Sequence, residues 1–383
     1  MTRLALNLPS LVTSPLPLLR CEQVRDLTLS QIQIACLLAN AFFCTFPRRN
    51  STGFTSEYAN FPGINFYTLF SPDQAPQFES DKDALSLSKC KANKLKCIFH
   101  YFKRVLSDQP AGCVTFRRQQ LEQPYEWSLK DCTLTNLKID NKGRIEDANE
   151  NTLKVDFANK IIGGGVLSGG CVQEEIYFLL CPEMMISRLF VECLQPHEAL
   201  VIIGAERFSN YSGYSDSFQW TGNYYDVTPI DSLARRKTYV TAIDALVVRK
   251  YSDQFRPYAL RRELDKALAG LLQGDFDTDS CLAVATGNWG CGAFGGDKSL
   301  KSVIQLMSAA VTRRDILYFT FGDDKLGDRL IELHQQLLEN RTTVAQLWTC
   351  LCNYNQLLKN KAINERVTPL FKYIIEQFSS HTP

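Results

Sequence analysis

Histidine is scarce in this chain of 383 residues, which contains only four. Fourteen cysteines are scattered along it, and no two show the two-residue spacing of common zinc motifs. These shortages exclude a conventional zinc site, so we expect no bound metal. Cys36 and Cys44 lie in apolar runs, where free cysteine behaves as a small hydrophobe. Free cysteines of this kind are typical of a reducing compartment, so we expect the protein to be located in the nucleus, the cytoplasm or both.

An excess of charge is also missing, since the net charge is +1 and the pI is about 7.4. Without a broad basic face, we expect no direct binding to nucleic acid. The longest apolar run, residues 34–46, contains Asn40 and Thr45 and is too short to span a bilayer. Prolines interrupt the N-terminal residues, so no secretory signal is expected. A globular monomer that does not associate with membranes is therefore expected.

The N-terminal part of the chain predicts a helical subdomain over residues 1–109. Residues 1–20, rich in proline and leucine, are expected to be extended and packed on the body of the protein. Apolar residues repeat at helical spacing over residues 29–43 and again over residues 84–106. Ser30 is placed to cap the first of these helices.

A turn at residues 110–112 marks a boundary, and residues 110–383 predict an α/β domain. Strands are expected at 112–116, 134–139, 144–145, 153–157, 199–204, 239–248, 282–285 and 316–321, with a hairpin turn at 141–143. Helices are expected at 174–189, 257–272, 299–313, 325–339 and 344–358. This alternation predicts a three-layer α/β/α sandwich of mostly parallel order, in which a ligand binds outside the carboxyl ends of the strands.

Five glycines fall within residues 163–170, and Glu174 and Glu175 follow shortly after. Glycine loses the most conformational freedom on folding, so this density suits a loop whose backbone closely approaches a ligand. A phosphate cradle would supply Lys or Arg, whereas this loop supplies two carboxylates, which favours a polar ligand beside acid–base groups. The alternative is that the two acids only start a helix and have no function. As loop acids, they are also expected to be exposed and to contribute little to stability.

The triplet Gly163-Gly164-Gly165, followed after seven residues by Gln173-Glu174-Glu175, resembles the signature of the poly(ADP-ribose) glycohydrolases. Three further segments are similar to that family: 37–50, 155–159 and 285–297. The resemblance implies a macrodomain with an N-terminal helical subdomain that needs no metal or organic cofactor. It also implies hydrolysis of ribose–ribose O-glycosidic bonds in poly(ADP-ribose), mainly at chain ends, with ADP-ribose as product. The alternative is a non-catalytic macrodomain that binds ADP-ribose and would not need the two glutamates.

Cleavage of such a bond requires a proton for the leaving 2′-oxygen and water for an oxocarbenium-like centre. Two adjacent carboxyl groups in a partly desolvated loop suit this chemistry, because burial and a like charge both favour the protonated form. The resemblance implies that Glu175 is the acid/base, that Glu174 binds ribose hydroxyls and that Asp156 orients the loop or the substrate. A strand-end acid that caps backbone amides is the alternative for Asp156.

The resemblance also implies a set of residues that contact the substrate. These are Ile145, Glu146, Asn159, Gly163, Gly164, Gly165, Gln173, Tyr214, Asn288, Trp289, Gly290, Cys291, Gly292, Ala293, Phe294 and Phe321. Within the set, Ile145 and Glu146 would contact the adenine part, and Asn159 and Gln173 would meet ribose hydroxyls. The backbone amides of residues 288–296 would hold the diphosphate without a metal.

Three aromatic residues complete this implied site. Phe294 would pack against ribose, Phe321 would stack on adenine and Tyr214 would reach over the ligand. Ordinary core packing is the alternative for the two phenylalanines. A plain surface position is the alternative for the tyrosine.

Overall fold

The computed structural model describes residues 1–49, 56–71, 81–150, 152–272, 283–360 and 368–379, without the side chains of 81–88. The chain forms two compact units. One contains residues 1–118, 158–195 and 200–242, and the other contains residues 119–157, 196–199 and 243–383. The division at residue 110 stays a prediction. Among the described residues, no helix is both long and apolar enough to cross a membrane.

The first unit opens with two short helices, α1 (Thr2–Leu6) and α2 (Leu8–Leu11). The prediction of an extended segment is therefore wrong for this stretch. Pro9 does not prevent the second helix, because it lies in the first turn, where the missing N–H would have no partner anyway.

Helix α3 (Gln31–Phe42) confirms the predicted cap at Ser30. The amide of Gln33 donates to Ser30 Oγ at 3.3 Å, and the amide of Ser30 donates to Gln33 Oε1 at 2.9 Å. This reciprocal pair satisfies two amides that the first helical turn would leave free. The helix starts two residues later than predicted because Leu29 and Ser30 belong to strand β1 (Arg25–Ser30).

Two further helices of the first unit are α4 (Tyr67–Phe70) and α5 (Asp81–Ser107). The second confirms the helix predicted over 84–106. Its apolar face is narrower than expected, because Phe99 and Leu106 are about half exposed, whereas Ile98, Phe102 and Val105 are buried.

Four sheet strands of the first unit follow the order β1, β2 (Cys113–Gln120), β5 (Glu198–Ile203) and β8 (Tyr239–Ala242). The pairs β1/β2 and β5/β8 are antiparallel. A separate antiparallel pair is formed by β6 (Ser209–Ser212) and β7 (Gln219–Asn223). The predicted parallel order is therefore wrong for this unit. An apolar run shows that a strand is buried on both faces and says nothing about its direction.

The helix predicted over 174–189 is divided into α6 (Gln173–Leu180) and a 3-10 helix (Pro182–Leu189). Pro182 has no amide hydrogen and cannot continue the first helix, so the chain turns at Cys181. This break matters for the site, because it separates the two adjacent glutamates from Arg188 in the last turn of the 3-10 helix.

Among the described residues, the second unit contains four strands in the order β4 (Thr152–Asp156), β9 (Ala283–Gly287), β10 (Ile316–Phe319) and β3 (Leu137–Asp140). All three neighbouring pairs are parallel, as predicted. Its helices are α7 (Pro257–Leu271), α8 (Lys298–Val311), α9 (Asp324–Glu339), α10 (Val344–Asn360) and α11 (Leu370–Phe378). Leu282, predicted to start a strand, lies outside the described residues.

The hairpin predicted around residues 141–143 is wrong. Strand β3 pairs with β10, and Ile145 belongs to a short 3-10 helix and not to a strand. The turn itself exists: Asp140 accepts hydrogen bonds from the amides of Lys142 (2.9 Å) and Gly143 (2.7 Å). The turn residues in the sequence thus identified where β3 ends, but not which strand β3 pairs with.

A buried acid lies among polar groups of the first unit. Glu183 is fully buried and accepts hydrogen bonds from Gln31 Nε2 and from the amide of Glu206, both at 2.8 Å. Burial raises the pKa of Glu183 to about 8, since the charged form loses its water. The carboxylate of Glu206 is paired with Arg236 at 3.1 Å and with Arg104 at 3.4 Å.

The free energy of unfolding is expected to fall as pH rises from about 4.5 to about 8, because folded Glu183 keeps a proton that the unfolded chain releases. Between pH 6 and pH 8 the loss should be roughly 2–3 kcal/mol. Urea unfolding across this range measures it. Glu183→Gln should remove this part of the slope, whereas Glu192→Gln should keep it, since the pKa of Glu192 is lowered, with hydrogen bonds outweighing burial. A Glu183→Gln protein with the parent slope would contradict the assignment.

Candidate active site

The glycine triplet forms a loop in the first unit, just after the chain leaves β4. Gly163 has a φ of +79° and Gly164 a φ of +42°, in the left-handed region that other residues rarely adopt. This backbone path turns the amides of Gly163 and Gly165 toward the two glutamates at the start of α6. The predicted loop at this position is therefore present, and glycine is needed there for conformation.

Glu174 and Glu175 are buried, with 2% and 6% of their surface exposed, so the expectation of exposed acids is wrong. Glu174 accepts hydrogen bonds from the amides of Asn159 (2.9 Å) and Gly163 (2.6 Å). Glu175 accepts from the amides of Gly165 (2.8 Å) and Val172 (2.9 Å). Only the last of these four bonds is helix-start chemistry. The other three hold the carboxylates to the loop.

Both carboxylates face the same point of the loop. A Cβ atom added to Gly164 would lie 2.5 Å from Glu175 Oε1 and 2.7 Å from Glu174 Oε2. One added to Gly170 would lie 2.7 Å from Glu175 Oε1. Side chains at either position would displace the acids, so the two glycines keep the carboxylates in place by having none.

Tyr214 lies beside this acid pair, as the resemblance implies. Its hydroxyl is hydrogen-bonded to the backbone of Gln173, while 53% of the residue is exposed. Burial of the hydroxyl end raises its pKa, and the charge of Glu175 adds to the rise. The structure thus brings together the glycine triplet, Gln173, both glutamates and Tyr214 in one unit. Asn159 belongs to the same group through its amide.

Two buried cations that contact this loop were not predicted from the sequence. Lys94 of α5 is fully buried, and Arg188 of the 3-10 helix is 8% exposed. Both donate hydrogen bonds to carbonyl oxygens of the loop. The sequence feature that could have identified Arg188 is a single positive charge within an otherwise largely apolar stretch.

In the second unit, Asp156 ends strand β4 and is fully buried. The carbonyl of the same residue accepts a hydrogen bond from the amide of Ile243 at 3.2 Å. Strand β9 ends at Gly287, at the same edge as its parallel neighbour β4, and leads into the second glycine loop. The predicted placement of these stretches at the carboxyl ends of parallel strands is confirmed.

The second glycine loop, residues 288–296, offers backbone amides. Within the described part of the chain, the amides of Gly290, Gly292, Ala293 and Phe294 donate to no protein group. Such free donors, followed by the start of α8, suit an anionic ligand. Among the described residues, no cluster of three or more potential metal ligands is found.

Several side chains of the second unit point away from solvent. Trp289 is fully buried and donates from Nε1 to the carbonyl of Ile243 at 2.9 Å. Ile145 packs in a small core cluster with Ala285 and Phe319. Burial raises the pKa of the Cys291 thiol to about 12, so it stays neutral. Trp289 and Ile145 can reach a ligand only through their backbone.

The remaining predicted positions of this unit are more open. Asn288, Glu146 and Phe294 are half-buried, and Asn288 Oδ1 accepts from Tyr318 Oη at 3.1 Å. Phe321 is 48% exposed and adopts a φ of +55°. Its ring covers Gly287, where an added Cβ would lie 2.8 Å from Cε2. Core packing therefore does not account for Phe321.

Phe321→Ala is expected to weaken ADP-ribose binding by roughly 1–3 kcal/mol, the usual contribution of an aromatic side chain stacked on a base. Calorimetric titration with ADP-ribose measures the change. The thermal midpoint should stay near that of the parent, because Phe321 is already about half exposed to water. A large loss of stability with unchanged affinity would instead assign the ring to packing.

Comparison with known families decides the identity of the fold. Residues 124–328 match the family model described as poly(ADP-ribose) glycohydrolase, macro domain fold, and residues 1–118 match the helical domain of the same family. The chain belongs to the poly(ADP-ribose) glycohydrolase family. This confirms the predicted family, its macrodomain with a helical N-terminal part, and its class as a glycosidase of poly(ADP-ribose).

Curated relatives agree with this membership. Poly(ADP-ribose) glycohydrolase 1 of Arabidopsis thaliana is 36% identical over 91% of this chain and 73% of its own length. Probable poly(ADP-ribose) glycohydrolase 2 of the same plant is 33% identical over 92% of this chain and 76% of its own. Poly(ADP-ribose) glycohydrolase 2 of Caenorhabditis elegans is 32% identical over 90% and 69%.

Proposed function

We propose that this poly(ADP-ribose) glycohydrolase releases ADP-ribose mainly from chain ends, with Glu175 as the general acid/base. The observation that carries the assignment is the convergence of two buried carboxylates on Gly164. Burying adjacent acids is costly, and backbone amides offset the cost only in part. A protein that only binds ADP-ribose would need amides and would gain nothing from the acids. This favours an enzyme over a non-catalytic macrodomain that only binds ADP-ribose.

Glu175 is placed to act twice. Each of its oxygens accepts one amide hydrogen bond and retains a lone pair for another partner. The protonated acid would pass its proton to the leaving 2′-oxygen as the bond to the anomeric carbon breaks, leaving an oxocarbenium-like centre. The carboxylate would then take a proton from the attacking water, which forms the new bond and restores the acid.

The other residues would hold the substrate. Glu174, held by the amides of Asn159 and Gly163, would bind ribose hydroxyls, and Tyr214, which is about half exposed, would cover the ligand. Asp156 is proposed to orient substrate and not to donate the proton. In the second unit, the free amides of Gly290, Gly292, Ala293 and Phe294 would hold a diphosphate, and the Phe321 ring would stack on adenine.

The experiment is incubation of the purified chain with polymer formed by automodification. Free ADP-ribose should appear from the first time points, without an early population of shorter oligomers, if hydrolysis proceeds from chain ends. Oligomers appearing first would contradict the preference for ends. If the chain binds the polymer without cleaving it, the result would support a non-catalytic macrodomain that only binds ADP-ribose.

Glu174→Gln and Glu175→Gln, titrated with ADP-ribose, separate the two roles. Each glutamate accepts hydrogen bonds from two backbone amides, and each change replaces one of the two accepting oxygens by an NH₂ group. The two variants should therefore disturb the loop to a similar extent. Glu174→Gln should show the larger fall in affinity, because Glu174 is assigned to ribose hydroxyls. Equal affinities, or a larger fall for Glu175→Gln, would reverse the assignment.

A further inference from the structure

Arg188 connects the 3-10 helix to the glycine triplet. Its Nη1 donates to the carbonyl oxygens of Ile162 at 2.7 Å and Gly164 at 3.1 Å. Its Nε donates to the carbonyl of Gly63 at 2.9 Å. Among the described residues, this guanidinium forms no ion pair with a carboxylate, and its hydrogen bonds go to carbonyl oxygens. The cation is therefore bound through peptide oxygens.

The two loop carbonyls that Arg188 binds belong to the peptide groups that hold the acids. The carbonyl of Ile162 and the amide of Gly163 form one peptide group, and that amide donates to Glu174 Oε1 at 2.6 Å. The carbonyl of Gly164 and the amide of Gly165 form another, and that amide donates to Glu175 Oε1 at 2.8 Å. A trans peptide directs its carbonyl and amide to opposite sides. Each peptide group thus lies between the guanidinium and one carboxylate.

The arrangement also has an electrostatic consequence. A cation on a carbonyl oxygen polarises the peptide and strengthens the hydrogen bond that its amide donates. Burial lowers the pKa of Arg188 to about 10, while the negative charges of Glu174 and Glu175 oppose this shift. The guanidinium therefore remains charged at neutral pH.

We propose that Arg188 is a positioning residue for hydrolysis, which fixes both carboxylates through the peptide groups Ile162–Gly163 and Gly164–Gly165 without contacting either acid. The inference rests on the proposed role of Glu175. Displacement of a reacting group by about 1 Å can cost about 10²-fold in rate, so the indirect contact is sufficient to matter.

Lys94 provides a matched comparison. Its buried ammonium donates to the carbonyls of Gly165 (3.1 Å), Val166 (3.1 Å) and Ser168 (2.8 Å), and to that of Gly170. None of these carbonyls shares a peptide group with an amide that holds Glu174 or Glu175. Both cations stabilise the same loop, but only Arg188 acts on the peptides that carry the acids.

The test compares Arg188→Ala with Lys94→Ala in polymer hydrolysis, per folded protein and below both thermal midpoints. Both changes should lower the midpoint. Arg188→Ala should lower kcat by about 10²-fold with a much smaller change in KM, and Lys94→Ala should lower kcat far less. Millimolar guanidinium should restore activity to Arg188→Ala alone. Equal losses of kcat, or no restoration, would overturn the inference.

If Arg188→Ala does not fold, Arg188→Lys replaces it. A lysine keeps the charge but lacks the planar fork, so kcat should fall about tenfold or more, with a smaller loss of affinity for ADP-ribose. A folded Arg188→Lys enzyme with the parent kcat would overturn the proposal. Glu175→Gln in the same assay separates the two hypotheses. If it retains the parent rate, the acid/base assignment fails, whereas an inactive Glu175→Gln beside equal losses for the two cations defeats the Arg188 inference alone.

Discussion

Replacing Glu175 by glutamine is expected to lower the rate of ADP-ribose release by about 10²–10⁴-fold or more, the usual contribution of a general acid–base group. Glutamine has the same shape but cannot give up a proton as an acid. Its carbonyl oxygen can still accept from one of the two amides, of Gly165 or Val172, but its NH₂ group cannot accept from the other. Binding of ADP-ribose should therefore survive better than hydrolysis.

Because Glu175 is buried, Glu175→Gln is also expected to lower the free energy of unfolding. One amide in the loop loses its partner, which costs about 1–3 kcal/mol. Glu183→Gln is a suitable control, because Glu183 is also buried, also accepts two hydrogen bonds and lies outside the loop. At pH 7 that control should hydrolyse polymer near the parent rate. If Glu175→Gln itself hydrolysed polymer near the parent rate, the two glutamates would have no acid–base role and would serve only to start the helix.

Gly164→Val should abolish both ADP-ribose binding and hydrolysis. The new Cβ would meet Glu175 Oε1 at 2.5 Å and Glu174 Oε2 at 2.7 Å, distances at which something must move. The φ of +42° adds strain of roughly 1–2 kcal/mol for any residue with a Cβ. From the sequence alone, glycine is expected at this position because a ligand comes close to the backbone. The structure shows that the carboxylates themselves are the first atoms in the way.

Calorimetry with ADP-ribose and polymer hydrolysis measure the effect of Gly164→Val, and far-UV circular dichroism checks that the protein is folded. Gly63→Val is the control, because an added Cβ there meets nothing within 4 Å and its carbonyl bond to Arg188 is retained. It should bind and hydrolyse as the parent does. Unchanged ADP-ribose binding by Gly164→Val would show that this loop is not the binding loop.

Local physics explains which parts of the fold were predictable. The cap of α3 at Ser30, the helices α7 to α10 and the apolar strands follow from hydrogen bonds and spacing within a few residues. The break at Pro182 is equally local and was overlooked. Strand pairing is not local: β3 pairs with β10, about 180 residues further along the chain, and no turn signal encodes that partner.

The candidate site divides in the same way. The sequence by itself determined the family, the glycine triplet and the two adjacent glutamates, because these lie within a dozen residues of one another and form a recognisable signature. Only the tertiary structure decided that both acids are buried on loop amides and that Arg188 and Lys94 bind the loop carbonyls. Those contacts depend on desolvation and on residues brought together by folding, and no spacing in the sequence records them.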